Sequence, residues 1–393
     1  MGRAGATAQS YKVRVLMMAV FLLGSTRFRK SLPCIVSLLL PPRPSAGTNI
    51  STVRRRVYVL GSGFSRAINS LMPTLSSLSC SVKSSLGGKG LPGADTPISN
   101  NFEDWLNFLS QASPWLERPR QFEAKAAFEL LTMALYEQLK AAQIRTSVRP
   151  LPPWLTQLVS YWDRTDATVL TFNYDVLVEA AWLACASGPR TTSELYPVPL
   201  TPAALRVGGT WGTSTAGAGL RLLKLHGSLS WWYSGPDSPP GDTVYDLGVL
   251  RPESLDDGVY FRLRDDERLV VDKLPMIVPP TMTKGSYYIN RVLTSLWSQA
   301  AESLRSAEEL VVMGFSMPST DHIVGSLMAT ELAPNACVIP LDCDVSVVNR
   351  FRRLLGEAEG DSEDRSSSET SRVLETWAGS DDPIEQWVQQ NTS

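Results

Sequence analysis

Short apolar runs that each end in a glycine or a small polar residue, and then lead into a helical pattern, constrain this chain most. They recur from residue 56 onward as "VYVLGSG", "ATVLTFNYD", "LRLLKLHGSLSWW", "EELVVMGFSM" and "ACVIPLDCD". Runs this short and continuous read as strands buried on both faces, while the stretches between them carry apolar residues at helical spacing. The alternation predicts an α/β fold, with a Rossmann-like, mainly parallel sheet and helices on both faces. "NFEDWLNFLSQASPWL", "QFEAKAAFELLTMALYEQLKAA" and "LPPWLTQLVSYWDR" fall between the first two strands, so a helical insertion is expected over 101–164. Two stretches rich in Gly, Pro, Ser and Thr, 79–100 and 187–219, read as loops.

The ends of the chain differ from this body. Residues 1–53 contain two short apolar runs, the first behind two positive charges in "YKVRVLMMAVFLLGSTRF". That is the outline of a signal peptide, yet it is too short to span a bilayer and lacks a clean small-residue cleavage site. The leading expectation is a non-structural extension or a start assigned too early, with a membrane-targeting segment as the alternative. Residues 54–356 read as the domain proper. Residues 357–393 open with "GEAEGDSEDRSSSET", an acidic, serine-rich run that cannot bury a core, so this tail is expected to be disordered. Trp377 and Trp387 lie beyond that run, where a short docking helix is the alternative.

Composition removes several function classes. A net charge of -2 with no extended basic run lacks the electrostatic footprint of nucleic-acid binding. The five cysteines show no paired CxxC spacing, which argues for reduced thiols in a cytoplasmic protein without a zinc ribbon. Only two histidines, His226 and His322, are available for acid–base or metal chemistry.

Open parallel sheets bind ligands at the carboxyl ends of their strands, and four such ends here carry polar or glycine residues. The first run turns at Gly61, Ser62, Gly63, Phe64 and Ser65 before a helix, a geometry that lets backbone N–H groups approach a phosphate. The others end at Asn173, Tyr174 and Asp175, at His226 and Gly227, and at Gly314, Phe315 and Ser316. Each has a plain structural reading as well. The glycines serve a tight turn, Asn173 or Asp175 caps the following helix, Asp321 caps the helix that starts at His322, and His322 itself is a surface or packing residue. "SWWYS" reads as the edge of a core, with a substrate wall as its alternative. Asp342 and Asp344 follow the last strand, where either loop solvation or an adenine ribose explains them.

Taken in order, "LGSGFS", "TFNYD", "LKLHGS" and "VMGFSMPSTD" resemble the sirtuin-like domain of bacterial proteins, a group that includes NAD-consuming effectors of anti-phage defence. The resemblance spans roughly residues 54–355. It implies that Gly61 to Ser65 cradle the NAD pyrophosphate, that Asn173 and His226 act at the nicotinamide ribose, and that Asp175 belongs to the same motif. Gly314 and Ser316 then line the ribose and phosphate side. NAD is implied as substrate, without a metal, and a homo-oligomer or a defence-system partner stays open. In the implied chemistry Asn173 orients a water or ribose hydroxyl, and His226, with an ordinary pKa near 6.5, is a base at neutral pH.

Two departures from deacetylating sirtuins matter. The four paired cysteines of their zinc module are absent, and no Pro-Asp-Phe-Arg stretch follows the glycine turn. NAD hydrolysis to ADP-ribose and nicotinamide is therefore favoured, with an NAD or ADP-ribose sensing module, or a protein deacylase or ADP-ribosyl transferase, as alternatives.

Overall fold

A computed structural model describes residues 54–85, 90–111, 113–188, 190–208, 219–255, 258–263, 267–282, 284–318, 321–357 and 371–392. The N-terminal extension over 1–53 lies outside the described residues, as do the centre of the second loop-rich stretch and residues 358–370 of the acidic run.

Strand β1 (Arg56–Leu60) runs directly into helix α1 (Ser62–Ile68), and four more helices follow: α2 (Leu75–Ser85), α3 (Phe102–Ser110), α4 (Arg118–Thr146) and α5 (Pro153–Arg164). Strand β2 (Thr168–Thr171) and helix α6 (Leu177–Ala184) come next. Then come the strands β3 (Thr201–Pro202), β4 (Arg221–Lys224), β5 (Gly227–Tyr233), β6 (Tyr245–Asp246), β7 (Val249–Leu255), β8 (Gly258–Leu263) and β9 (Leu274–Ile277). The chain continues through α7 (Arg291–Arg305), β10 (Glu309–Met313), α8 (His322–Glu331), β11 (Cys337–Leu341), α9 (Ser346–Leu354) and α10 (Pro383–Asn391).

Five strands form one parallel sheet in the order β11-β10-β1-β2-β4. Its strands are continuous Val, Leu and Ile runs because helices cover both faces, which is the environment such runs need. Pro340 is tolerated in β11 because that strand is at the edge. The protein is thus an α/β fold with a Rossmann-like sheet and a helical stretch between β1 and β2. That stretch begins earlier than residue 101, at α1 and α2. A second sheet, β3-β6-β5-β9, and the hairpin β7-β8 lie between α6 and α7 in sequence.

Three features differ from the sequence reading. Residues 79–85 belong to a helix, since Leu78 and Val82, one turn apart, are buried despite the serines around them. "LRLLKLHGSLSWW" is two strands: the chain leaves the parallel sheet after Lys224 and enters the second sheet at Gly227. Gly227 has φ +84 and sits so close to the Met276 carbonyl that a side chain has no room.

Residues 371–392 are also ordered against the main core rather than disordered. Val338 and Val373 form a parallel bridge, and Trp387 is buried edge-on to Tyr58 with ring centroids 6.1 Å apart. The reason is a stripe of Ile384, Trp387 and Val388 at helical spacing on α10, which the acidic composition upstream obscures. Among the described residues, no helix is long and apolar enough to cross a membrane.

Candidate functional site

The parallel register places the carboxyl ends of β1, β2, β4 and β10 on one edge of the sheet. Close packing there explains the glycines. A Cβ on Gly61 would lie 2.5 Å from the Gly314 carbonyl oxygen, and one on Gly63 would lie 2.8 Å from the Gly314 Cα. Gly314 has φ +60 and abuts the backbone of Gly63 and Phe64. The Gly63 N–H donates to the Gly314 carbonyl (2.9 Å), that of Gly61 to Met313 (3.1 Å) and that of Phe64 to Gly61 (3.0 Å). These donors bind protein carbonyls, so the turn is first a clasp between β1 and β10. Ser62 is exposed and lines the pocket at this edge.

A partly buried hydrogen-bond chain ties this clasp to the end of β2. The Asn173 side-chain N–H donates to the Gly61 carbonyl (2.7 Å) and to Ser65 Oγ (2.9 Å), and the Ser65 hydroxyl donates to Asp175 Oδ2 (2.5 Å). Asp175 Oδ1 also accepts from the Leu177 N–H (3.2 Å), so it holds the start of α6 and the glycine turn together. Asn173 makes no cap to α6. From β4, Lys224 Nζ donates to the Asp175 carbonyl and to Glu179 Oε1 (2.8 Å), with Lys224 and Glu179 both buried. The Tyr174 hydroxyl donates to the Val278 carbonyl (2.5 Å), joining the loop to the segment after β9.

These strand ends surround a pocket of about 200 Å³. Gly61, Ser62, Ser65, Asn173, Asp175, His226, Gly314 and Ser316 all line it. Two residues named from the sequence do not. Phe64 is a core residue, packed edge-on to Trp154 at 5.9 Å, because the helix turns its side chain inward. Gly63 serves the clasp with Gly314.

His226 lies against Phe172, with ring centroids 5.1 Å apart, and near Trp297 at 6.3 Å. Its Nε2 is buried without a hydrogen-bond partner. Asp321 Oδ2 is 3.7 Å from that nitrogen, and Asp321 Oδ1 accepts from Lys284 Nζ at 2.9 Å. Burial pulls the His226 pKa down to about 3, the Lys284 ammonium lowers it, and Asp321 opposes both. His226 is therefore neutral at physiological pH and far less basic in this state than its ordinary value implies.

Asp321 and Lys284 were not among the residues the sequence marked as chemical. Asp321 stands just before α8, but its side chain caps nothing there and turns into the pocket instead. Lys284 sits in "TMTKGS", which carries no recognisable pattern. Glu103 and Thr281 complete the polar lining. His322 is exposed and lines a neighbouring groove of about 680 Å³ between α8 and α9, which shares Ser316, Pro318 and Asp321 with the pocket. Trp231 and Trp232 are buried in β5 as core residues. Asp344 accepts from the Ser346 N–H (2.9 Å) and pairs with Arg350 (2.8 Å), so it fixes the start of α9. Asp342 accepts from the Asp344 N–H at 3.0 Å, and burial pushes its carboxyl up. Among the described residues, no cluster of His, Cys, Asp or Glu is arranged to hold a metal.

Among the solved structures to which this chain is similar are structures of Sir2 homologues and enzymes. A crystal structure of a Sir2 homologue–NAD complex is 11% identical, with 87% of this chain and 92% of that one covered, at a TM-score of 0.39. An ADP-ribose complex of a mutant Sir2 homologue is 14% identical over 86% and 93% of the two chains, with a TM-score of 0.36. A structure described as the basis for the mechanism and regulation of Sir2 enzymes is 12% identical over 74% and 81%, with a TM-score of 0.34. No protein-family model and no curated protein matches the chain.

Proposed function

We propose that this protein binds NAD at the sheet edge and hydrolyses it to ADP-ribose and nicotinamide. The observation that carries the reading is the convergence of four sequence elements on one pocket beside the unpartnered Nε2 of His226. Those elements are the ones whose order resembles a sirtuin-like domain. The fit to a dinucleotide is a matter of size and shape. Ligand pockets for small molecules run to roughly 300–1,000 Å³, so the 200 Å³ pocket alone is too small for the whole dinucleotide, and in this reading it takes one half of NAD. The adjoining groove, flanked by Arg350 and Arg353, takes the other half.

Cleavage of the nicotinamide bond leaves positive charge on the ribose, and a water must arrive at the anomeric carbon as the ring departs. In this reading Asn173 and Asp175 fix the loop against which the ribose lies, Ser62 and Ser316 contact the phosphates, and the His226 imidazole receives the proton of the attacking water. Incubating the purified chain with NAD tests the reading. Equal amounts of nicotinamide and ADP-ribose support it, and intact NAD together with tight binding rejects it.

A second reading is a module that senses NAD or ADP-ribose without turnover. It is favoured by one observation, the low basicity of His226, which makes it a weak proton acceptor in this state. The sequence resemblance extends the proposal to a bacterial, cytoplasmic protein of anti-phage defence. A plaque assay with cells expressing the wild-type chain or H226A tests that extension.

A further inference from the structure

One group of charges in the pocket has no part in the glycine clasp or the Asn173 chain. Lys284 follows β9 and Asp321 precedes α8, and they meet across the pocket with both side chains largely buried. A lysine and an aspartate held out of water in this way cost desolvation that their mutual attraction only partly returns. Their position beside His226 gives the pair a use that stability alone does not supply. Oδ1 of Asp321 is held by Lys284, while Oδ2 faces His226 Nε2 at 3.7 Å, about 1 Å beyond hydrogen-bond length. The aromatic rings beside it, Phe172 and Trp297, carry no charge.

We propose that Asp321 and Lys284 are positioning residues for His226: Asp321 receives the imidazolium that forms during the reaction, and Lys284 fixes that carboxylate. The chemical step rests on the NAD-hydrolysis reading. Water adds its oxygen to the anomeric carbon of the ribose. The glycosidic bond breaks with its electron pair going to nicotinamide, and the proton lost by the water passes to Nε2. The Nε2–H then turns to Oδ2, closing the gap, and the proton leaves to solvent with the products. Burial of the ring and the two opposed charges agree with this order of events, since His226 is held well below its ordinary pKa by burial and Lys284 and raised by Asp321. The other titratable side chains on the pocket wall are Glu103 from α3, and Tyr174 and Asp175 after β2. Tyr288, ahead of α7, adds a buried hydroxyl near Asp321.

The test uses the full chain and two readouts, one of which needs no NAD. With only two histidines in the sequence, ring nitrogen resonances are assigned by comparison with H322Q. In the wild type, His226 is predicted to stay neutral from pH 5 to 8. In K284M the His226 ring is predicted to take up its proton at least about one pH unit higher than in the wild type, whereas K284R keeps the wild-type titration. A K284M ring that behaves as wild type overturns the proposal, and K284R controls for a folding defect. With NAD, D321N is predicted to lose roughly 100-fold in kcat with binding nearly unchanged, and D321E to recover part of it. Wild-type kcat in D321N also overturns the proposal. If no form of the protein turns over NAD while K284M still shifts the titration, the hydrolysis reading fails and the charge relation among the three residues stands.

Discussion

Removing the ammonium of Lys224 tests how the pocket loop is held. Lys224 and Glu179 are both about 1% exposed, and Lys224 donates to Glu179 Oε1 at 2.8 Å and to the Asp175 carbonyl. The Tyr196 hydroxyl is the second donor to Glu179, at 2.8 Å. In K224M the Glu179 carboxylate stays buried with one neutral donor, and the Asp175 carbonyl loses a charged one. Breaking a buried pair by removing one partner typically costs about 3–5 kcal/mol, because the other charge is left uncompensated. The loss should reach the ligand site as well, since Asp175 holds Ser65 and Asn173 holds the Gly61 carbonyl. Urea unfolding followed by tryptophan fluorescence reads the stability, and calorimetric titration with NAD reads the site. K224M/E179Q removes the stranded charge while leaving Tyr196 an acceptor, so it should recover about 2 kcal/mol or more of the K224M loss. A K224M protein within about 1 kcal/mol of wild type, with unchanged NAD affinity, would mean that the buried Lys224–Glu179 pair does not hold the pocket loop.

Other consequences follow from the same geometry. Since His226 is neutral in the fold with a pKa near 3 and ordinary in the unfolded chain, the unfolded state alone binds its proton as pH falls below about 6.5. Stability should therefore be full above pH 7 and drop by about 2 kcal/mol from this residue by pH 5; H226Q should flatten that part of the pH–stability curve. G314A should destabilise by more than the roughly 1–2 kcal/mol of a left-handed alanine, because its Cβ also meets the backbone of Gly63 and Phe64, and NAD binding should fall with it. W387A removes a buried ring that packs on Tyr58 and lies 5.6 Å from the Arg56 guanidinium, and should cost about 3–5 kcal/mol in urea unfolding without abolishing ligand binding.

The parallel sheet was legible in the sequence because strands buried on both faces are unbroken apolar runs, and "VYVL", "TVLT" and "LVVM" have no other use. Their polar ends followed from the direction a parallel strand must take. The second sheet was not legible, since β3 and β6 are two residues each and β9 sits among prolines, where no alternation can show. The α10 stripe was masked by averaging over an acidic neighbourhood, although Ile384, Trp387 and Val388 carry the spacing by themselves. At the site, a glycine's role in local strain and its role in phosphate approach look alike in sequence. Only the contacts of Gly61, Gly63 and Gly314 show that they clasp two strands. Asp321 looked like a helix cap because cap preference depends on position alone. Its carboxylate turned inward because Lys284, 37 residues away, supplies a stronger partner than a backbone N–H.

NAD hydrolysis at this pocket is tested most directly by nicotinamide release from NAD by the purified chain, measured beside H226A and N173A with NAD affinity determined for each. Wild-type protein should release nicotinamide, H226A should lose release with affinity largely kept, and N173A, whose side chain holds the glycine turn, should lose both. Release at the wild-type rate from H226A would contradict hydrolysis at this pocket.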